Sequence, residues 1–241
     1  MRWRWNCAMK KKYFLFALFV PINSYAFNGI DIPSYKPFTP DAVVRVDGSE
    51  VLFDGLIEKD SAKRLIKSLQ TKKIKIISIN SMGGDVESAL TIAKEILEKK
   101  LDVKVRDVCA SACANYIFPA GNRKLLGERS LLLFHGSVNS PVKYIKISGD
   151  ISIEKFMNLP SIKKLKKEEE SFYKGIKVKE NFPYCPQQQP NYEEKYPEKW
   201  FSYTPENIKD FGVKNIFISG GSKKWVLYLE KRDVVFSPQC L

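Results

Sequence analysis

Residues 73–84 read Lys73-Ile-Lys-Ile-Ile-Ser-Ile-Asn-Ser-Met-Gly-Gly84, and the chain continues Asp85-Val-Glu-Ser-Ala-Leu-Thr-Ile-Ala-Lys-Glu-Ile-Leu-Glu-Lys99. The first stretch is rich in isoleucine, and Lys73 to Asn80 has the apolar, β-branched character of a strand buried in a core. In the second, Val86, Ala89, Leu90, Ala93, Ile96 and Leu97 recur at helical spacing, with Glu87, Lys94, Glu95 and Lys99 elsewhere on the surface. A core strand that ends at a glycine pair and opens into an amphipathic helix is half of a parallel crossover.

The flanking segments extend the pattern. Ala42 to Val46 and Val51 to Ile57 read as short strands around the turn at Asp47-Gly48, and Ser61 to Gln70 is helical, with Ala62, Leu65, Ile66 and Leu69 on one face. Leu101 to Val108 is a further strand. Residues 110–118 read as a buried helix stopped near Pro119-Ala120-Gly121, and Leu131 to Phe134 is a strand that ends at His135. The fold class expected is α/β, built from parallel βαβ crossovers. Past Ser140, residues 151–178 carry a helix-like segment around a charge run, Lys163 to Glu170, that reads as a solvated face. Residues 181–203, dense in proline and aromatics, suggest an ordered irregular loop. Thr204 to Phe211 has an N-cap threonine followed by Pro205, the signature of a short helix. Asn215 to Ser219 and Trp225 to Glu230 read as a hairpin about Gly220-Gly221.

Three features of this α/β segment point to one chemistry. Gly83 and Gly84 leave room for a ligand to approach the backbone, beside the unpaired N–H groups of a helix start. In Val108-Cys-Ala-Ser-Ala-Cys-Ala114 a serine, Ser111, stands at a strand-to-helix junction with small neighbours on both sides. His135 is the single histidine of the chain and follows a strand directly. A serine nucleophile needs a base, and imidazole is the side chain suited to that task near neutral pH. Each feature alone has an ordinary structural explanation: a tight turn, a serine N-cap, a strand-end histidine. Their order in one compact segment is what carries the reading.

With these residues in place, the stretch from about Ile77 to Gly136 resembles the proteolytic subunit of the Clp protease and its exported relatives within the ClpP/crotonase fold. The matching motifs are Ile-Asn-Ser-x-Gly-Gly at 79–84, the amphipathic helix, the small-residue box about Ser111, Ala-Gly at 120–121 and strand-His at 131–135. Trp200-Phe-Ser-Tyr-Thr-Pro-Glu206, followed by Asp210-Phe-Gly-Val213, is similar to that family's closing helix and turn. The resemblance implies a serine peptidase or hydrolase with Ser111 as nucleophile, His135 as general base and the N–H groups of Gly84 and Ala112 as oxyanion donors, with Gly83 beside them. It also implies a peptide or protein substrate, no cofactor, and a homo-oligomer by analogy. In that family an acid that orients the histidine stands shortly before the closing helix; counting back from Pro205 puts Lys199 at that place, a departure from the pattern, and a shift of one residue makes Glu198 the candidate acid for His135, with Glu193, Glu194 and Asp150 as alternatives. Cys109 and Cys113, bracketing Ser111, depart from the cytosolic family pattern.

Composition bounds the rest. The 241 residues are 44% hydrophobic and 28% charged, an ordinary globular balance with a formal charge of +13. Residues 1–26 hold five of the cations and no acid, which leaves 35 basic against 27 acidic residues, or +8, in the remainder. That mild excess is not the footprint of a nucleic-acid binder. Lys10-Lys-Lys12, the apolar run Tyr13 to Ile22 and Ser24-Tyr-Ala26 form a basic, apolar and small-x-Ala series, so residues 1–26 read as a secretory signal peptide cut after Ala26, with Met9 the expected initiator. Residues 27–241 then form one domain: a core at about 42–140, a helical and loop extension at about 141–203, and a closing helix and hairpin at 204–241. The expected location is the periplasm of a Gram-negative cell, or otherwise outside the cell, with membrane contact only through the leader. Export makes disulfides available. Cys185 and Cys240 are the preferred pair, and Cys109 and Cys113 either pair with each other or stay as buried thiols. A metal site of Cys109, Cys113 and His135 has too few ligands and no Cys-x-x-Cys spacing. A Ser/Lys dyad leaves His135 without a role. The rival of a different class is a binding module that keeps the fold without turnover.

Overall fold

The computed structural model describes residues 42–147, 150–197, 199–238 and 240; the leader peptide expected at 1–26 lies outside the described residues. The chain forms an α/β fold around one mixed, mostly parallel seven-stranded sheet. β1 (Val43–Asp47) and β2 (Glu50–Asp54) form the expected hairpin and are the antiparallel pair of strands in the sheet. From β2 onward every pairing of strands is parallel, in the order β2, β3 (Ile76–Ser81), β4 (Asp102–Ala110), β5 (Lys124–Leu126) and β7 (Ile216–Ile218). The crossovers α1 (Lys59–Leu69) and α2 (Val86–Lys99) connect β2 to β3 and β3 to β4.

The nine-residue strand β4 positions the site. Its first half pairs with β5, and its second half pairs with β6 (Leu131–Leu133). The break between the halves is written into its pairing with β3: Ile79 opposes Val105 but Ser81 opposes Cys109, so extra residues bulge on β4. Asn80 Oδ1 accepts the Val108 N–H at 3.2 Å and caps that irregularity. The sequence ends this strand at Val108; the structure carries it to Ala110, because the ladder resumes beyond the bulge against β6.

α2 buries Val86, Ala89, Leu90, Ala93 and Ile96 as its spacing requires, whereas Leu97 stays 39% exposed. Asp85 caps the helix by accepting the Ser88 N–H at 2.8 Å. Residues 113–117 form a π-helical turn that runs into α3 (Phe118–Ala120), in place of one regular buried helix.

Three expectations for the second half are corrected. The segment 151–178 becomes α4 (Ile153–Asn158) and α5 (Pro160–Ile176), and its charge run is not wholly solvated: Glu169 is 1% exposed. The irregular region 181–203 contains a short helix, α6 (Tyr192–Lys195). The C-terminal hairpin does not form. Ile216 to Ile218 joins β5 in parallel, and residues 222–230 are a helix, α8 (Ser222–Glu230). Trp225 and Leu229 stand one helical turn apart and are both fully buried, and the Trp225 indole N–H donates to the Ser130 carbonyl at 2.8 Å. That burial needs a helical period, which overrides the β propensity of the Trp-Val-Leu-Tyr run. α7 (Pro205–Asp210) forms where expected, capped by Thr204. Cys109 joins Cys113, and Cys185 joins Cys240, 55 residues apart. Among the described residues no helix is long and apolar enough to cross a membrane.

Candidate active site

Parallel register brings the two central residues together. Ala110 opposes Leu133, so β4 and β6 end side by side and release Ser111 and the Phe134-His135 corner at the same level. The Ser111 N–H donates to the Leu133 carbonyl at 3.0 Å, the last bond of that ladder. Ser111 then turns at φ 53, in the left-handed region that non-glycine residues seldom occupy. It is therefore not the ordinary helix cap that its neighbours suggest. The sharp turn lifts its hydroxyl out of the strand, where His135 Nε2 lies 2.7 Å from Ser111 Oγ. The Cys109–Cys113 disulfide, with Cα atoms 5.2 Å apart, closes across this turn from the strand end to the π-helical turn.

The glycine pair sits directly over the serine. A Cβ on Gly83 would lie 2.8 Å from both the Ala112 nitrogen and Ser111 Cβ, and 2.6 Å from the Ala110 carbonyl oxygen. The Gly83 N–H is spent on Ser81 Oγ at 3.1 Å, so Gly83 supplies space and not a donor. Gly84 forms a parallel bridge with Ile57, in which the Ile57 N–H donates to the Gly83 carbonyl and the Asp85 N–H to the Ile57 carbonyl. A bridge of that type uses the groups of the residues flanking Gly84 and leaves its own N–H turned away from Ile57. Among the described residues, the N–H groups of Gly84 and Ala112 have no backbone acceptor. Two uncommitted amide donors on either side of a serine are the components of an oxyanion hole.

His135 is held from behind. Phe134 and Phe201 exchange both backbone hydrogen bonds, at 2.8 and 2.9 Å, which fixes the neighbouring residues Trp200 and His135 against each other with ring centroids 4.4 Å apart. Gln187 Nε2 donates to the His135 carbonyl at 2.9 Å. Phe134 also anchors an aromatic cluster with Phe182, Phe201 and Tyr203, so the proline- and aromatic-rich extension is what packs around the histidine corner. Removal from water pushes the His135 pKa down to about 4. The ring is thus neutral through the physiological range. For Ser111 to donate to Nε2, the imidazole proton must reside on Nδ1.

Glu198 lies outside the described residues. Glu193 and Glu194 are exposed on α6, where the charge of Glu193 acts on Lys146, and Asp150 is exposed. Among the described residues no carboxylate forms an ion pair with His135. Sequence reasoning passes over Glu169, which α5 buries behind the histidine loop. It accepts from Ser137 Oγ and from the Tyr116 hydroxyl, each at 2.6 Å. Its place inside a run of lysines and glutamates conceals it; Phe172 and Tyr173, which follow at helical spacing, were the available signal. Trp200 was likewise read only as part of a motif.

No family model matches the chain, and no curated protein matches it.

Proposed function

We propose that the chain is an exported ClpP-like serine hydrolase, with peptides or proteins as its substrates. The observation that carries the reading is the 2.7 Å approach of His135 Nε2 to Ser111 Oγ beneath the two uncommitted amide donors. In the reaction, His135 takes the Ser111 proton as the oxygen attacks a carbonyl carbon. The Gly84 and Ala112 N–H groups receive the charge that develops on the carbonyl oxygen. The imidazolium then returns the proton to the leaving group, and water repeats the sequence to release the acyl group. Alanines on both sides of Ser111 place no bulky side chain next to its hydroxyl. The two disulfides suit an oxidising compartment and support export.

Turnover of unfolded casein and of a short-chain nitrophenyl ester tests this reading. Wild type is expected to cleave at least one of them, and Ser111→Ala and His135→Ala to lose all of that activity. Cleavage that survives Ser111→Ala would overturn it. A second reading, a module that binds an acyl or peptide group without turnover, draws on the lowered basicity of an imidazole whose pKa burial brings down to about 4. That reading predicts peptide binding without cleavage, unchanged by Ser111→Ala.

A further inference from the structure

A polar network runs behind the histidine, in a part of the molecule that otherwise buries aromatic rings. Residues 135–140 form the loop that leaves β6 and carries the imidazole. Ser137 on this loop donates its hydroxyl to Glu169 Oε1 at 2.6 Å, while its own N–H donates to Ser140 Oγ at 2.8 Å. Asn115 Nδ2 donates to the Gly136 carbonyl at 2.9 Å, and the Tyr173 hydroxyl donates to the Asn115 carbonyl at 2.6 Å. Asn139 Nδ2 reaches the Lys166 carbonyl of α5 at 3.1 Å. Gly136, Ser137 and Asn139 of the loop are thereby tied to α5 or to the turn that follows Ser111. Glu169, 1% exposed, is the one carboxylate in the network. Burying a charge is costly unless it is paired and hydrogen-bonded, and the attack described above makes no use of this carboxylate.

We propose that Glu169 is a positioning residue: through Ser137 and Tyr116 it fixes the 135–140 loop, and with it the aim of His135 at Ser111. This rests on the serine–histidine reading above and deepens it. Glu169 spans the two halves of the site, because Tyr116 belongs to the π-helical turn after Ser111 and Ser137 belongs to the histidine loop. The ionised carboxylate accepts from both hydroxyls. Hydrogen bonds to a charged acceptor are about twice as strong as neutral ones. Once protonated, Glu169 must itself donate, so one of the two hydroxyls has to turn from donor to acceptor and the span slackens.

Burial pushes the Glu169 carboxyl up to about 7, against donors from Ser137, Tyr116, Asn139 and the Val138 N–H that pull it down. The groups facing it do not titrate there. Tyr116 from the π-helical turn and Tyr173 from α5 are both raised well above 10, and Tyr184 from the following segment is raised to about 12. Glu170, on the same helix, adds its charge at Tyr184. His135 itself has already lost its proton well below this range.

Because His135 is the only histidine, a protein labelled with 13C,15N-histidine gives one imidazole signal. We expect that signal to move in a single step centred near pH 7 in the wild type. The step should vanish in Glu169→Gln, which keeps the shape but cannot ionise, and in Ser137→Ala, which cuts the link while leaving the acid in place. Over the same range the rate of fluorophosphonate labelling should rise roughly tenfold in the wild type and stay flat in both variants. A wild-type signal with no step near pH 7, or a step that survives in a folded variant, would overturn the proposal. If Glu169→Gln does not fold, Ser137→Ala decides. A step in the imidazole signal without any labelling would count against the hydrolase reading alone and leave the coupling of Glu169 to His135 standing.

Discussion

At Ser111 the backbone stands at φ 53 and the hydroxyl meets an imidazole whose pKa, through loss of water, has fallen to about 4. The sign of that shift fixes the acid limb of the reaction. A base works only when unprotonated, so below the roughly tenfold change near pH 7 that Glu169 imposes, labelling of Ser111 should lose its remaining rate as pH falls through about 4, below the range of an ordinary histidine. Trp200 covers the ring at 4.4 Å. Trp200→Ala should rehydrate it and move the acid limb upward toward 6.5; a limb that stays in place would mean that Trp200 is not what keeps the ring dry. The glycine over the serine gives a second prediction at this scale. Gly83 has φ 91 and a Cβ there would sit 2.6 Å from the Ala110 carbonyl oxygen and 2.8 Å from the Ala112 nitrogen, so Gly83→Ala should lower both the melting temperature and the labelling rate, because backbone on the serine turn has to shift; labelling at the wild-type rate would show that the turn does not depend on this glycine. Ser111, His135 and the glycine pair were legible because residue type and position at strand ends announce them. The left-handed turn at Ser111 was not, since small neighbours on both sides fit a helix cap equally well.

Among the elements, β4 and its disulfide carry the most consequence. Cys109–Cys113 closes a short loop, for which the chain-entropy argument gives about 2 kcal/mol of stabilisation, against about 4 kcal/mol for the longer loop closed by Cys185–Cys240. Replacing the pair as Cys109→Ser with Cys113→Ser should therefore cost less stability than Cys185→Ser with Cys240→Ser, by thermal melting. Yet only the first pair brackets the nucleophile, and it should slow Ser111 labelling more. The reverse ranking in labelling would show that the short disulfide does not hold the Ser111 turn. Helices α1, α2 and α7 were readable because their apolar spacing and caps agree with their packing. α8 was misread because Trp225, Val226, Leu227 and Tyr228 favour strands locally, while the buried slot beside Ser130 rewards Trp225 and Leu229 at helical spacing. Glu169 was hidden for a related reason: a charge run records average exposure, and one buried member does not change the average.

For the whole molecule, His135 and Glu169 act on stability in opposite directions. His135 has a folded pKa below its ordinary value, so its share of stability is present above 6.5 and is lost as pH falls through about 4. Glu169 has a folded pKa above its ordinary 4.5, so its share is present below 4.5 and is lost as pH rises through about 7. Between 4.5 and 6.5 these two slopes cancel. Glu169→Gln removes one of them, so relative to wild type the variant should gain on the order of 3 kcal/mol across pH 4.5 to 7. Chemical unfolding at several pH values checks this, and an offset that does not vary with pH would contradict it. A carboxylate that destabilises the fold while aligning a loop is the exchange of stability for activity expected at a working site. The sheet order and its parallel register set that site, since β4 and β6 end together only because Ala110 opposes Leu133. The most direct test of the central claim is intact-mass measurement after exposure to a fluorophosphonate at neutral pH. Wild type should gain one adduct that peptide mapping places on Ser111, and His135→Ala, folded by its melting profile, should gain none. A folded wild-type protein that stays unmodified, or an adduct that forms as fast without the imidazole, would contradict the account.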